Sequence, residues 1–304
     1  MRFAVLAAAD SWYFRDLARA AAELGHEVIQ LTFSEIAAEL NGGGWRLYCG
    51  EHDLAHFDAT IVRTMPPGSL EQVVFRMDCL ARHEAAGGVV INPARAVEAA
   101  VDKFLTSAKL SAAGLLSPRT IVCQTSDEAL AAFDRLGGDV VLKPLFGGEG
   151  RGITRVSDPA LALRAFRMLE QLGAAIYLQE FIPHEGCDLR LFVLGDEVHA
   201  MRRRNPHDWR TNVSRGAKTE ALPLTAELVE IAHQAAAAVG APLAGVDLLP
   251  GRDGQLYTLE VNGVPGWKAL ARTVNVDIAR RVIQFVARQA LAAQKQREGE
   301  EYGR

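Results

Sequence analysis

The 304-residue sequence has few cysteines and no long apolar run. Its four cysteines, Cys49, Cys79, Cys123 and Cys187, stand far apart, so they indicate neither a disulfide framework nor a zinc-binding pair. No stretch approaches the roughly 18 consecutive apolar residues that a membrane-spanning helix requires. We therefore expect a protein of the reducing cytoplasm that does not cross a membrane.

The sequence also has little excess charge of either sign. Its formal net charge is −4, which excludes a general nucleic-acid-binding protein, because neutralising phosphates requires net positive charge. Hydrophobic residues make up 49% of the chain and charged residues 23%, which excludes disorder over most of its length. Any anion-binding site must therefore be local.

The order of apolar segments divides the chain into three predicted domains. Residues 1–95 open with a strand, a helix and a strand, although the Gly-x-Gly-x-x-Gly dinucleotide pattern is absent from the first turn. Residues 96–183 begin with a helix predicted from Ala96 through Leu110, which carries Lys103, and continue with strands around a glycine-rich stretch. Two further helices are predicted there, one opened by Thr125 as a cap and one by Asp158-Pro159. Residues 184–304 show antiparallel strands and two helices, the second predicted to end at Gln294. The predicted fold class is α/β, with an α+β C-terminal part.

Four glycines occur within six positions after the strand that ends at Lys143, namely Gly147, Gly148, Gly150 and Gly152. Because glycine has no Cβ atom, the backbone N–H groups of such a stretch can converge on a phosphate, and Lys143 can add a positive charge. A flexible hairpin tip would explain the glycines equally well. For Lys103, the simpler interpretation is a solvated lysine on its helix.

A predicted hairpin near the C-terminus places three oxygen-bearing side chains together. Glu260 and Asn262 share one face of a strand, and Asp247 lies beside Glu260 on the partner strand. Carboxylate and amide oxygens are the ligands that Mg²⁺ prefers when phosphates complete its shell. Two surface acids at a sheet edge are the alternative. We favour the metal because an uncompensated charge in the apolar strand around Asp247 would be costly.

Residues 202–218 contain six basic side chains and one acidic one, Asp208, a local net charge of +5. This contrast with the rest of the chain indicates an anionic ligand, although a solvated basic face is the simpler interpretation for any single arginine. Arg203 shares its strand face with Met201 and not with Arg202, so at most one of these two arginines can point into a common site. The roles of Arg63, Arg202 and Arg204 are left open.

Taken in order, these motifs resemble the ATP-grasp fold, and within it the RimK-like amino-acid ligases, which include ribosomal-protein and tetrahydromethanopterin glutamate ligases. The resemblance covers about residues 95–280 and is carried by Lys103 and by the stretches KPLFGGEGRG, LQEFI, GCDLR, RTN, AGVDLL and EVNGVPG. It implies that residues 1–95 form a Rossmann-like pre-ATP-grasp domain. Gly263-Val264 and the short loop after Arg203 depart from the pattern, and both lie on the acceptor side.

The resemblance also implies roles for individual residues. Those that would bind ATP are Lys103, Lys143, Gly147, Gly148, Gly150, Gly152, Gln179, Glu180, Phe181, Ile182 and Asp188, with the hinge at 180–182 lining the adenine pocket and Asp188 holding the ribose. Arg210 and Asn212 would reach the nucleotide or acyl phosphate, and Arg203 would stabilise the charge on the transferred phosphoryl group. The residues that would bind two Mg²⁺ or Mn²⁺ ions are Asp247, Glu260 and Asn262.

The implied activity is that of a carboxylate–amine ligase, in which ATP converts a carboxylate into an acyl phosphate that an amine attacks. The expected substrates are a small-molecule or peptide carboxylate, on a cofactor or a protein C-terminus, and an amino acid, with L-glutamate favoured. A small-molecule kinase on the same fold and a non-catalytic ATP-binding module are the alternatives. The acceptor, the number of residues added and the oligomeric state, a homo-oligomer included, are left open.

Overall fold

A computed structural model describes residues 1–42, 44–147 and 150–302. Within those ranges the chain forms nine α-helices and four β-sheets, which confirms the predicted mixture of helices and strands. The strands are β1 (Arg2–Leu6), β2 (Glu27–Leu31), β3 (Ile36–Asn41), β4 (Gly44–Cys49), β5 (His52–Asp53), β6 (Ala59–Val62), β7 (Val90–Ile91), β8 (Thr120–Cys123), β9 (Val140–Lys143), β10 (Thr154–Val156), β11 (Ile176–Glu180), β12 (Cys187–Leu194), β13 (Glu197–Arg204), β14 (Lys218–Ala221), β15 (Leu243–Pro250) and β16 (Leu256–Asn262). The helices are α1 (Trp12–Glu23), α2 (Leu70–Ala85), α3 (Ala94–Val101), α4 (Lys103–Ala112), α5 (Ser126–Arg135), α6 (Pro159–Gln171), α7 (Ala226–Val239), α8 (Lys268–Val274) and α9 (Ile278–Tyr302).

The N-terminal sheet is parallel and has the strand order β2-β1-β6-β7. Residues Phe3 to Leu6 of β1 are fully buried, as expected for a parallel strand that is covered on both faces. Helix α1 begins after Ser11, whose side chain accepts a hydrogen bond from the N–H of Phe14. The β-α-β unit predicted at the start of the chain is therefore confirmed.

Apolar spacing does not reveal two further elements of this region. Strands β3 and β4 pair as an antiparallel hairpin. Helix α2 begins at a capping box in which Ser69 and Gln72 each hydrogen-bond the other's backbone N–H. Its apolar residues Leu70, Val74 and Phe75 are exposed, so the apolar spacing of α2 does not mark a single buried face.

The central sheet is antiparallel and has the order β10-β9-β11-β8. The two helices that follow strands β8 and β10 begin at side-chain caps, Thr125 for α5 and Asp158 with Pro159 for α6. Phe133 and Phe166 from these helices pack in a core formed by residues 121–178 alone. This sheet and its helices therefore have a hydrophobic core of their own.

The C-terminal sheet is antiparallel and has the order β14-β13-β12-β15-β16. Phe192 on β12 and Trp267 pack in the same hydrophobic core as Phe3 of the N-terminal sheet. The two sheets are also joined by Asn92, which follows β7. Its Nδ2 donates to the carbonyl oxygens of Leu243 and Gly263 at 2.6 Å each, and its Oδ1 accepts from the N–H of Leu243 at 2.9 Å.

Two helices differ in extent from the prediction. The single helix expected from Ala96 through Leu110 is divided into α3 and α4, because Asp102 has extended backbone and accepts a hydrogen bond from the N–H of Leu105 as an N-cap. Helix α9 continues past the expected end at Gln294. No helix in the three described ranges is both long and apolar enough to cross a membrane.

Candidate active site

Strands β15 and β16 bring together the three oxygen-bearing side chains expected from the sequence. Asp247 is in register with Glu260, and Gly245 is in register with Asn262. The register shifts between Asp247 and Leu248, which places Leu259 as an extra residue in β16. Such β-bulges change the direction of nearby side chains and are common beside active sites. The predicted juxtaposition of Asp247 and Glu260 is therefore present.

Asp247 is a buried carboxylate with two arginine partners. It is 3% exposed, its Oδ1 lies 2.6 Å from Nε of Arg190 on β12, and its Oδ2 lies 3.1 Å from Nη2 of Arg203 on β13. The assumption that its charge has no compensation is therefore wrong, because both partners come from strands distant in sequence. Burial of this carboxylate by itself does not require a metal ion.

The donor set nevertheless fits a divalent cation. Oδ1 of Asp247 is buried and forms an ion pair with Nε of Arg190, but no described residue donates a well-aligned hydrogen bond to it. Oδ1 of Asn262 accepts a hydrogen bond from the N–H of Val264 at 2.9 Å, which fixes the orientation of the amide. The described residues include no group of three His, Cys, Asp or Glu side chains able to hold a metal. Two carboxylates and an amide therefore need further oxygen ligands, as Mg²⁺ sites completed by phosphates do.

Lys103 contacts the glycine-rich loop. It is the first residue of α4, and its Nζ donates a hydrogen bond to the carbonyl oxygen of Gly147 at 2.6 Å. Its backbone N–H donates to the carbonyl oxygen of Leu145 at 3.2 Å. Burial lowers the pKa of Lys103, and the negative charge of Glu260 opposes this shift. Lys103 is thus held at the loop and is not a freely solvated helix residue.

Lys143 reaches the same region from the end of β9. Its Nζ donates to Oε1 of Gln179 at 2.6 Å, and the amide of Gln179 donates in turn to the hydroxyls of Thr120 and Tyr177. Burial lowers the pKa of Lys143, and Glu260 raises it, with smaller effects from Lys103 and Asp247. Because these charges act on one another, the two lysines and the two carboxylates share one region.

The glycine-rich loop meets the basic segment 202–218. Gly147, Gly150 and Gly152 have φ angles of +110°, +69° and +72°, a backbone region that favours glycine, whereas Gly148 lies outside the described residues. A Cβ atom at Gly150 would lie 2.5 Å from Oδ1 of Asn212. Nη2 of Arg215 also lies 3.5 Å from the carbonyl oxygen of Gly150. The loop therefore approaches Asn212 closely, and only glycine leaves room for this contact.

Much of the positive charge in this segment is paired within the protein. Arg202 forms an ion pair with Glu220 at 3.1 Å, and Arg210 pairs with Asp208 at 2.9 Å. Nη1 of Arg210 also donates to the carbonyl oxygen of Ile153 at 3.4 Å, beside the glycine-rich loop. Arg203 is buried and points inward, whereas its neighbour Arg202 does not, as strand alternation predicts.

Asp188 on β12 takes part in a buried network. Its carboxylate accepts hydrogen bonds from Nε and Nη2 of Arg203 at 2.7 and 2.5 Å, and from the hydroxyl of Thr211 at 2.5 Å. Asp188 is 4% exposed, and this burial raises its pKa, whereas Arg203 lowers it. Three hydrogen bonds within the protein thus occupy most of the acceptor positions of this carboxylate, which the resemblance assigns to the ribose.

The hinge at residues 180–182 connects the central and C-terminal sheets. The backbone N–H groups of Glu180 and Phe181 donate to the carbonyl oxygens of Arg119 and Asp139. The Oε1 atom of Glu180 accepts from the N–H of Arg119 at 2.7 Å. Ile182 is 9% exposed and follows these engaged residues. The backbone of Glu180 and Phe181 is thus fixed where the chain leaves the central sheet.

The ring of Phe181 contacts strand β10, which follows the glycine-rich loop. Cζ of Arg155 on β10 lies 3.5 Å from its centroid, and the centroid of Trp209 lies 5.8 Å away. Arg155 is held in turn by Asp139, whose Oδ1 accepts from its Nε at 2.8 Å. These contacts connect the predicted adenine region to strand β10 and to the basic segment.

Two residues of the site have no role in the sequence interpretation. Arg190 lies within the quoted stretch GCDLR, but its contact with Asp247 depends on the pairing of β12 with β15. Thr211 lies within RTN, and its hydrogen bond to Asp188 depends on the path of the loop after β13. The alternation of β12 places Asp188 and Arg190 on one face, which is the signal that could have identified Arg190.

Comparisons with known proteins agree with this architecture. A RimK PreATP-grasp domain matches residues 1–97, and a RimK-like ATP-grasp domain matches residues 100–286. The tetrahydromethanopterin:alpha-L-glutamate ligase of Methanosarcina acetivorans is 32% identical over 311 residues, which cover 91% of this chain and 95% of that protein. The ribosomal protein bS6–L-glutamate ligase of Escherichia coli O81 is 30% identical over 295 residues, which cover 95% and 97%.

Solved structures show the same fold. The ATP-grasp ligase PsnB complexed with minimal precursor, Mg and ADP has a TM-score of 0.72 at 23% identity, with 95% of this chain and 97% of that chain covered. D-cycloserine synthetase DcsG has a TM-score of 0.71 at 22% identity, with 95% and 100% covered. The matched domains and the curated relatives together show that the chain belongs to the RimK-like ATP-grasp family, with a pre-ATP-grasp domain at its N-terminus.

Proposed function

We propose that the chain is an ATP- and Mg²⁺-dependent ligase that joins L-glutamate to a carboxylate on a cofactor or a protein. The observation that carries this proposal is the convergence of Lys103, Lys143, Asp247 and Glu260 beside one glycine-rich loop. Ammonium groups neutralise phosphate charge directly, and carboxylates do so through bound cations. The arrangement therefore suits a nucleoside triphosphate.

Each part of the nucleotide has candidate partners in this arrangement. Lys103 and Lys143 would contact the phosphates, residues 147–152 would cover them, and the hinge at 180–182 would line the adenine pocket. Asp247, Glu260 and Asn262 would hold two Mg²⁺ or Mn²⁺ ions, which when bound shield phosphate charge during transfer. The ADP and Mg in the PsnB complex support this assignment through the shared fold.

The chemistry follows from the low electrophilicity of a carboxylate. An oxygen of the acceptor carboxylate attacks the γ-phosphorus of ATP, the bond to the bridging oxygen breaks, and an acyl phosphate and ADP result. The amine nitrogen then attacks the acyl carbon, phosphate leaves with the bonding electron pair, and the nitrogen loses a proton. The glycine-rich loop, held by Lys103 and lying against Asn212, would exclude water from the acyl phosphate. No protein nucleophile is required.

The names of the curated relatives support glutamate as the amine substrate. The two relatives act on different acceptors, tetrahydromethanopterin and a ribosomal protein, but both names specify L-glutamate. The acceptor of this chain is therefore assigned only as a carboxylate. Arg210 and Asn212 lie beside the glycine-rich loop, where they would approach the nucleotide or the acyl phosphate.

Hydroxylamine trapping tests the proposed reaction. We expect candidate acids incubated with ATP, Mg²⁺ and hydroxylamine to give hydroxamates and ADP, because hydroxylamine intercepts acyl phosphates. With an amino-acid mixture in place of hydroxylamine, mass spectrometry should show the mass of glutamate added to the acid. A stable phosphorylated product would instead identify a kinase. ATP binding without acid-dependent turnover would identify a non-catalytic module and contradict the proposal.

A further inference from the structure

Arg63 is a buried cation at the carboxyl end of the N-terminal parallel sheet. It directly follows β6, its backbone N–H donates to the carbonyl oxygen of Leu6 at 2.9 Å, and the residue is 6% exposed. In open parallel sheets, ligands bind beyond the carboxyl ends of the strands. Arg63 therefore lies where a ligand-binding residue is expected, although the proposed nucleotide site does not use it.

The Arg63 guanidinium has one hydrogen bond and no acidic partner among the residues that the structure describes. Its Nη2 donates to the carbonyl oxygen of Pro265 at 2.8 Å, whereas Nε and Nη1 are buried without a partner. Its Cζ lies 4.4 Å from the ring centroid of Trp267 and 5.0 Å from that of Tyr13. Burial lowers its pKa to about 10. Two aromatic rings and one carbonyl are thus its immediate environment.

Arg203, which is as buried as Arg63, and Arg190, whose side chain is 12% exposed, are compensated by acids. Arg203 lies 2.5 Å from Asp188, and Arg190 lies 2.6 Å from Asp247. Burying an ion and leaving two of its hydrogen-bond donors unpaired costs more free energy than two cation–π contacts supply. The surroundings of Arg63 therefore do not offset its burial, and an anion would.

Arg63 borders the segment that follows the proposed metal ligands. Its acceptor, Pro265, comes three residues after Asn262 in the sequence. A Cβ atom at Gly245 would lie 3.0 Å from Cβ of Pro265 and would clash with Nη1 of Arg190, so both of these residues pack on Gly245. Arg190 in turn contacts Asp247. A ligand held by Arg63 would thus lie on the side of β15 and β16 where the reaction is proposed to occur.

We propose that Arg63 binds a carboxylate of the incoming amino acid, an inference that rests on the proposed ligase function. The acceptor carboxylate is consumed in the reaction and must lie beside the γ-phosphate. Glutamate reacts through its amine, so both of its carboxylates stay ionised throughout and require cationic partners away from the triphosphate. A guanidinium matches the planar, bidentate geometry of a carboxylate better than an ammonium does.

Access of a ligand to Arg63 depends on the segment that follows it. Arg63 opens an irregular segment, residues 63–69, that connects β6 to α2 and becomes exposed from Pro67 onward. Access to the guanidinium therefore requires this loop to shift, while the sheet stays in place. The competing explanation is that Arg63 only joins the N-terminal sheet to Pro265 and Trp267, and the experiment must separate the two.

Calorimetric titration of the protein loaded with the ATP analogue AMPPNP and Mg²⁺ makes this separation. We expect Arg63→Met to weaken L-glutamate binding by about 10- to 100-fold, the equivalent of one or two lost charge-assisted hydrogen bonds, and Arg63→Lys to recover part of it. AMPPNP affinity should not change. Arg82→Met is the matched control, because Arg82 is exposed and its Cζ also lies over an aromatic ring, 5.5 Å from the centroid of Trp45.

Titration with glutarate tests the proposed role of Arg63 independently of the ligase assignment. Glutarate carries two carboxylates and no amine, so its binding depends on the carboxylate site and not on amide formation. We expect glutarate to bind the wild-type protein and to bind Arg63→Met more weakly, whatever the result of hydroxylamine trapping. If Arg63→Met binds L-glutamate and glutarate as tightly as the wild-type protein does and only its melting temperature falls, Arg63 is a purely structural residue and the proposal is overturned. The proposal is also overturned if the wild-type protein binds neither L-glutamate nor glutarate.

Discussion

Arg190 and Asp247 face each other in register on β12 and β15, with Nε of Arg190 2.6 Å from Oδ1 of Asp247. Arg203 approaches the other carboxylate oxygen at 3.1 Å. The negative charge of this proposed metal ligand is therefore balanced before any cation binds. A cation that binds Asp247 must share its carboxylate with two guanidinium groups, which favours binding together with the anionic nucleotide.

Removal of the Asp247 charge should weaken the metal site selectively. Asp247→Asn keeps the shape of the side chain but leaves Arg190 and Arg203 without a shared anion. We expect the Mg²⁺ concentration for half-maximal, acid-dependent ADP formation to rise by more than about tenfold. The matched control is Asp253→Asn, since Asp253 lies in the exposed turn of the same hairpin and pairs with Tyr257. Equal Mg²⁺ dependence in both variants would contradict the assignment.

Asp188→Asn should reveal whether this residue binds ribose or positions Arg203. We expect turnover to fall by about 10- to 100-fold and the free energy of unfolding by about 3 kcal/mol, because Arg203 loses a buried partner. The preference for ATP over 2′-deoxy-ATP and 3′-deoxy-ATP should stay as in the wild type. If the variant loses that preference while its turnover with ATP is preserved, Asp188 is a ribose ligand.

Gly150→Ala should interfere with the contact between the glycine-rich loop and Asn212. The new Cβ atom would lie 2.5 Å from Oδ1 of Asn212, at a φ angle of +69°. We expect the KM for ATP to rise and the melting temperature to fall. Gly173→Ala isolates the backbone cost, about 1–2 kcal/mol, because Gly173 has a φ angle of +65° and nothing within 4 Å of a Cβ atom. A normal KM for ATP in Gly150→Ala would show that the loop does not close on Asn212.

The stability of the protein should fall as the pH drops below about 6.5, the ordinary pKa of histidine. Burial lowers the pKa of His83, so the unfolded chain binds a proton that the folded chain excludes between its lowered pKa and 6.5. We expect His83→Gln to reduce this loss, measured by urea unfolding between pH 7 and pH 5. His56→Gln, at an exposed position, is the control. Identical pH profiles for the wild type and His83→Gln would contradict the burial argument.

The elements that the sequence predicts best are those with local signals. The strand before Asp10, the capped helices after Thr125 and Asp158, and the hairpin of Asp247 and Glu260 follow from periodicity and capping chemistry. The break at Asp102 and the start of α2 at Ser69 also have cap signals, but continuous apolar spacing hides the first and the exposed Leu70 weakens the second.

The partners of the buried charges could not be predicted in the same way. Asp247 is compensated by Arg190 and Arg203 only because β12 lies between β13 and β15, and strand order is a property of the whole sheet. Asp188 likewise requires Thr211, which the loop after β13 brings back to β12. Sequence spacing identifies which residue types could form a site, whereas sheet topology decides which of them neutralise each other.

The hydrogen bonds of Asn92 have a consequence for how the molecule can move. They hold the end of the N-terminal sheet to β15 and to Gly263, which follows β16, and Phe3 and Trp267 share one core across the same boundary. The central sheet has a separate core. Entry and exit of a nucleotide should therefore move the central sheet, with Lys143, as one unit about residues 180–182, while the N-terminal and C-terminal sheets keep their relative position.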